Sequence, residues 1–253
     1  MSQSQVRFGI GKLRYVILGT LFLVLVMLTG CMYPGTSSES EPVIVNYDDS
    51  VSRIQHAIDS FQTDQHILPM ITAGNETPRY EKFRIDLNKL EQQGYLDDIP
   101  NTAFEKGGSV YYLLQNEESD PVVKVMDLTT VQRVNDVQRL AQTYKSTHDE
   151  WPVSEEVSPG VSRVDIDKLQ SGASQLQELQ SVYSGEALPY LLDENGNVYA
   201  DYAIDIMQVI EREKLAPSKT EDLRELLTER SHHVPVKSLP YHWDGSAPIA
   251  VLQ

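Results

Sequence analysis

Arg84-Ile85-Asp86-Leu87-Asn88-Lys89-Leu90 returns 79 positions later as Arg163-Val164-Asp165-Ile166-Asp167-Lys168-Leu169. Each copy opens with alternating apolar and polar residues. That spacing predicts a short strand running into a turn of helix at Asn88 or Asp167. A second pair of blocks precedes the first. Val51, Ile54, Ala57, Ile58 and Phe61 are followed by Pro69; Val134, Val137, Leu140, Ala141 and Tyr144 are followed by Pro152. The two sets superpose without a gap, 83 positions apart, and both have the three-and-four spacing of an amphipathic helix. Asp48, Asp49 or Ser50 is the expected cap of the first helix, and Thr129 or Thr130 of the second.

A third pair of blocks follows. Tyr112-Leu113-Leu114, closed by Asp127-Leu128, matches Tyr190-Leu191-Leu192 with Asp205-Ile206, 78 positions on. In the second copy the strand enters Asp193-Glu194-Asn195-Gly196-Asn197 and leaves through Val198-Tyr199-Ala200, and Asn-Gly between apolar runs signals a hairpin. The shrinking offset implies small loop deletions, which cost little. The body therefore reads as α+β, with two tandem repeats spanning 47–128 and 129–206, each a helix, a strand and turn, and a β-hairpin. Residues 207–253 read as C-terminal helices and an extended strap. Met207 and Ile210 continue a helix toward Pro217, Ser218 with Glu221 forms a capping box, and Leu223, Leu226 and Leu227 give the next helix an apolar face. Pro235, Pro240 and Pro248 keep the remainder extended.

The N-terminus has a different character. Arg7, Lys12 and Arg14 precede an apolar run from Tyr15 to Leu28, which ends in Leu28-Thr29-Gly30-Cys31. The basic head and apolar stretch make residues 1–30 a secretory signal peptide, shorter than the ~20 apolar residues of a spanning helix. The ending matches a lipobox. Cleavage between Gly30 and Cys31 would leave Cys31 carrying the two acyl chains of an S-diacylglycerol group, with or without an added N-acyl chain. Two chains anchor stably, at ~0.8 kcal/mol for each buried methylene. Cys31 is the chain's one cysteine, and an unpaired thiol in an exported protein needs such a reason. Residues 31–46 are rich in Pro, Gly, Ser and Glu and read as a flexible tether.

The whole chain carries 21 Lys plus Arg against 37 Asp plus Glu, net −16. Removing the signal takes away three basic residues and no acid, leaving 18 against 37, net −19. A body of that charge disfavours nucleic acid and is repelled by anionic lipid.

Candidate sites are few. His232, His233 and His242 cluster in the strap, but adjacent residues of a strand point to opposite faces, so no metal site is expected. Asp193, Asn195, Asn197 and Asp201 offer oxygens in the wrong order for a calcium loop. Arg84 with Asp86, and Arg163 with Asp165, share a face in each repeat; they read as a solvated rim or as two equivalent docking points. No nucleophile elbow, zinc motif or phosphate loop occurs. The expectation is a non-enzymatic protein with no catalytic, cofactor or metal residues, and lipidation at Cys31.

Three features together resemble the uncharacterised membrane lipoproteins of Bacillus-type Gram-positive bacteria. They are the Cys31-Met32-Tyr33-Pro34 start, the twin Arg-x-Asp-x-x-Lys-Leu blocks and Val234-Pro235-Val236-x-Ser238-Leu239-Pro240-Tyr241. Some members of that family are labelled ABC-transporter periplasmic binding proteins. The resemblance implies an extracytoplasmic, membrane-anchored protein; the anchor, the tether and the duplicated modules without recognisable chemistry give the expectation of an accessory module that binds an envelope protein or wall component, with a solute-binding component of an ABC transporter as the alternative. Leu87-Asn88-Lys89-Leu90 with Tyr95-Leu96-x-x-Ile99-Pro100 is also similar to a region of type II secretion pseudopilins, a likeness of fold that carries no function.

Overall fold

The computed structural model describes residues 46–169 and 176–252. The expected signal peptide, Cys31 and all of the tether but Asn46 lie outside the described residues. The fold is α+β, with helices packed on antiparallel sheets. Helix α1 (Asp48–Gln65) buries Val51, Ile54, Ala57, Ile58 and Phe61, the residues whose spacing marks it in the sequence. It lies on a four-stranded sheet made of β1 (Met70–Thr72), β2 (Phe83–Ile85), β3 (Val110–Gln115) and β4 (Val122–Asp127), in that spatial order. The short helix α2 (Leu87–Gln92) follows β2 and is capped by Asp86, which accepts the Lys89 N–H. Ile85, Leu87, Leu90, Tyr112, Leu114, Val123 and Val125 meet α1 to form the first core. Each such large side chain contributes about 1.5–3 kcal/mol.

Helix α3 (Leu128–His148) begins directly at the end of β4. It leads to a second four-stranded sheet with the same order: β5 (Val153–Ser158), β6 (Val161–Val164), β7 (Tyr190–Asp193) and β8 (Val198–Ala200). Helix α4 (Ile166–Leu169) follows β6 as α2 follows β2. Several contacts recur at matching places. His66 and Asp149 both end their helices in the left-handed conformation, with φ of 57° and 58°. The Asp86 and Asp165 N–H groups both donate at 2.8 Å, to Pro69 and Pro152. Arg84 pairs across the sheet with Leu113, and Arg163 with Leu191. The Gln55 side-chain oxygen accepts the Val123 N–H, and that of Gln138 accepts the Val198 N–H.

Four expectations need correction. Tyr47 takes the cap position of α1, with Asn46 accepting the Asp48 N–H; Asp127 caps α3 by accepting from Thr130. A carboxylate at the end of a strand is already in place when the helix begins, so Thr129 and Thr130 fall inside the first turn. The 78-residue offset fails past the second hairpin. Leu113 faces Lys124 while Leu191 faces Tyr199, so the offset there is 75. The tight turn at Asn195-Gly196 replaces a longer loop, and Asp205-Ile206 lies within a helix. Helix α5 (Ala203–Glu213) accordingly runs straight through the expected boundary at 206. At Ser218 only half a capping box forms. Glu221 accepts the Ser218 N–H, but the Ser218 hydroxyl turns to Thr220, and helix α6 begins later, at Glu225–Arg230.

The strap joins the two sheets at their outer edges. The Val125 N–H of β4 donates to His232 at 2.7 Å and the Val234 N–H donates back to Val125 at 3.0 Å. Five residues on, Lys237 accepts the Ala200 N–H of β8 at 2.8 Å. Register makes Val125 and Ala200 equivalent, so one segment caps the same edge position of both sheets and hides edges that would otherwise template association. Val234 and Val236 pack with Tyr80, Leu113 and Met126 in a small core of their own. The chain closes with a hairpin, β9 (Tyr241–Trp243) and β10 (Pro248–Ala250), on the second unit.

Candidate interaction surface

The Arg-x-Asp pairs do not form ion pairs. Asp86 turns inward to cap α2, and Asp165 accepts the N–H groups of Asp167 and Lys168. This frees each arginine for the face of its sheet turned away from the preceding helix, and the two arginines then differ. Arg163 lies 3.5 Å from Glu155, on the bulged strand β5, and 4.0 Å from Asp201. Beside it a cavity of about 120 Å³ is walled by Val157, Tyr241, Pro248, Ile249 and Ala250, so the C-terminal hairpin closes over this face. Asp201 is further held by the hydroxyl of Tyr241 at 2.8 Å.

Arg84 meets no carboxylate among the described residues. Its guanidinium lies over the Tyr111 ring at 4.7 Å, and the Phe104 ring packs at a tilt against the same tyrosine, centroids 4.9 Å apart. Ile71 is its cross-strand partner. Register places Met126 of the first sheet where the second has Asp201. Ile71 and Phe104 are 44% and 53% exposed, which makes this face apolar, aromatic and cationic on an acidic protein.

A second feature lies at the junction of α5, α6 and the loop after Leu179. A polar cavity of about 180 Å³ is lined by Tyr183, Ser184, Asp205, Gln208, Arg212 and Arg230. Asp205 is buried, and burial pushes its carboxyl above the usual range although the hydroxyls of Ser181 and Ser184 donate to it at 2.8 and 2.6 Å. Arg212 and Arg230 are both drawn to Glu213. The arrangement pins the loop to α5. Tyr183 encloses its hydroxyl without a partner among the described residues, and burial raises that group well above its ordinary value.

The remaining sequence candidates separate. His232 reaches Asp48 at 2.7 Å. His233 faces the other way, against Tyr47 and Tyr183, and burial pushes its ring below the ordinary histidine value. His242 sits on β9. No group of three or more metal-ligating side chains gathers among the described residues. Asp193 spends its oxygens on the turn itself, accepting the Asn195 and Asn197 N–H groups and the hydroxyl of Tyr199. Gly196 is required there twice over. Its φ is +84°, and a Cβ would fall 2.3 Å from the Trp151 ring.

Arg224 carries no sequence signature. It is buried, forks onto both oxygens of Asp222, reaches Ser238 of the strap and lies 5.0 Å over the Tyr80 ring, tying the C-terminal region to the first unit. Burial works against the Asp222 carboxylate, but the Arg224 hydrogen bonds and charge outweigh it and hold that group below its usual range.

Among known families, the YphF family N-terminal domain matches residues 47–127, the span from the start of α1 to the end of β4. No curated protein and no solved structure matches the chain. No helix among the described residues is long and apolar enough to cross a membrane.

Proposed function

We propose that the protein is a lipid-anchored, extracytoplasmic protein of the cell envelope that acts by binding an envelope protein or wall component rather than by catalysis. The observation that carries this reading is Leu28-Thr29-Gly30-Cys31, closing an apolar run behind a basic head and holding the chain's one cysteine. The matching contacts of the two sheets support reading them as two copies of one module, fastened by the strap. The test is metabolic labelling with an alkyne analogue of palmitate. Wild-type protein takes up the label and sediments with membranes. Cys31→Ala loses the label and is not cleaved. Equal labelling of the two proteins contradicts the anchor.

The polar cavity at Asp205 favours a second reading, a solute-binding component of a transporter. At about 180 Å³ it is smaller than the ~300–1,000 Å³ of typical ligand sites. A thermal-shift screen separates the two readings. A solute at 100 times its Kd stabilises by ~2.7 kcal/mol, and the binding-module reading predicts no shift with any small solute.

A further inference from the structure

Among the described residues the two sheets present the same face with different covers. On the second sheet Arg163 has carboxylates from its own unit, and the hairpin β9–β10 lies alongside with Pro248, Ile249 and Ala250. On the first sheet the place of Asp201 is taken by Met126, and the near acid, Asp86, is committed to capping α2. Among the described residues Arg84 meets no carboxylate and lies over the Tyr111 ring. Its neighbours are also more apolar than their counterparts. Ile71 stands where the other edge strand has polar residues, and Phe104 is exposed beside Tyr111. Val234 and Val236 of the strap cover Leu113 and Met126, and Tyr111 packs at the margin of that cluster.

We propose that the Ile71–Arg84–Tyr111–Phe104 face docks an extended segment of a partner protein carrying a carboxylate flanked by apolar side chains. The carboxylate supplies the charge Arg84 lacks, in the planar two-pronged geometry that guanidinium favours. The flanking side chains cover Tyr111, Phe104 and Ile71, as Pro248 and Ile249 flank the second sheet. An extended occupant follows from that internal precedent. The carboxylate follows from charge complementarity, because Arg84 lies beside exposed apolar side chains with no carboxylate among the described residues, whereas Lys124, the other cation of this face, is engaged by the Thr228 and Ser231 carbonyls. Aromatic and arginine side chains are also the residues that dominate binding energy at interfaces. This inference rests on reading the protein as a binding module.

The test places the photo-crosslinking residue p-benzoylphenylalanine at Phe104 in the full chain in living cells, with the same residue at the exposed Ile204 on α5 as control. The expected result is an adduct at position 104 to one partner segment holding Asp or Glu beside apolar residues. Arg84→Glu reduces that adduct at least tenfold, and Arg84→Lys retains most of it. A synthetic peptide of the captured segment binds the purified wild-type protein, and changing its acid to Lys restores binding to Arg84→Glu. Phe104→Ser, at an exposed position, weakens the peptide without depending on how Arg84→Glu folds. Adducts confined to lipid, adducts no stronger than at Ile204, or adducts indifferent to Arg84→Glu overturn the proposal. The acyl label on Cys31 is read in the same cells. Crosslinking without the label removes the anchor and leaves the docking face; the label without crosslinking does the reverse.

Discussion

Asp222 and Arg224 show how much one pair of side chains does for this protein. Arg224 touches the strap and Tyr80 as well as Asp222, so removing the carboxylate leaves a buried guanidinium without its counter-charge. Asp222→Ala should destabilise by about 3 kcal/mol in urea unfolding. The pH dependence has a defined sign. Because the folded carboxyl titrates below its ordinary value of 3.8, its stabilisation is complete above that value and is lost as the pH falls through the folded value. Urea midpoints of wild type and Asp222→Asn should therefore converge in strong acid. His233 acts in a higher range. The unfolded ring takes a proton near 6.5, whereas burial keeps the folded ring neutral further into acid. Stability contributed here is complete above pH 6.5 and declines below it. His233→Phe, which keeps a ring against Tyr47, should flatten the fall in stability between pH 7 and 5.5. At this scale the sequence was partly opaque. Arg84 was visible as one of two repeated arginines. That its neighbouring acid would cap a helix, and that Tyr111, itself packed by Phe104, would lie against it, depended on register and loop path. Arg224 gave no signal, because its partners lie 2 and 14 positions away and near a tyrosine of the first unit.

The helices were legible because burial has a 3.6-residue period, and every apolar residue that marks α1 in the sequence is buried in it. Two edge strands, β1 and β5, were not. Each follows directly on a proline, is half exposed, and in β5 reads Val-Ser-Glu-Glu-Val-Ser, so its pairing comes from the backbone and not from an apolar face. The hairpins rest on a pair of glutamines that composition could not single out. Gln55 and Gln138 reach from their helices to the N–H groups of Val123 and Val198. Replacing either by Leu strands a backbone donor and should cost about 1–3 kcal/mol, measurable by thermal unfolding. Gly196→Ala should be at least as costly as a cap deletion, because it forces both a positive φ and a collision with Trp151. A crystal structure of that variant would show Trp151 displaced.

Across the whole molecule the strap is the element that makes two units behave as one. It closes equivalent edges of both sheets, supplies Val234 and Val236 to the core around Leu113, and accepts from Tyr202 through the Val236 carbonyl. A chain ending at residue 230 should lose cooperative unfolding in calorimetry and associate through its open edges. The sequence showed an extended proline-rich tail but not its path, since proline fixes local backbone and says nothing of which edge it meets. The proposed placement at the outer face of a membrane rests on the N-terminal motif. The most direct measurement is the intact mass of the N-terminal peptide of the protein purified from membranes. The account predicts a peptide that begins at Cys31 and carries a diacylglycerol thioether. A peptide that begins at Met1, or a Cys31 with a free thiol, would contradict it.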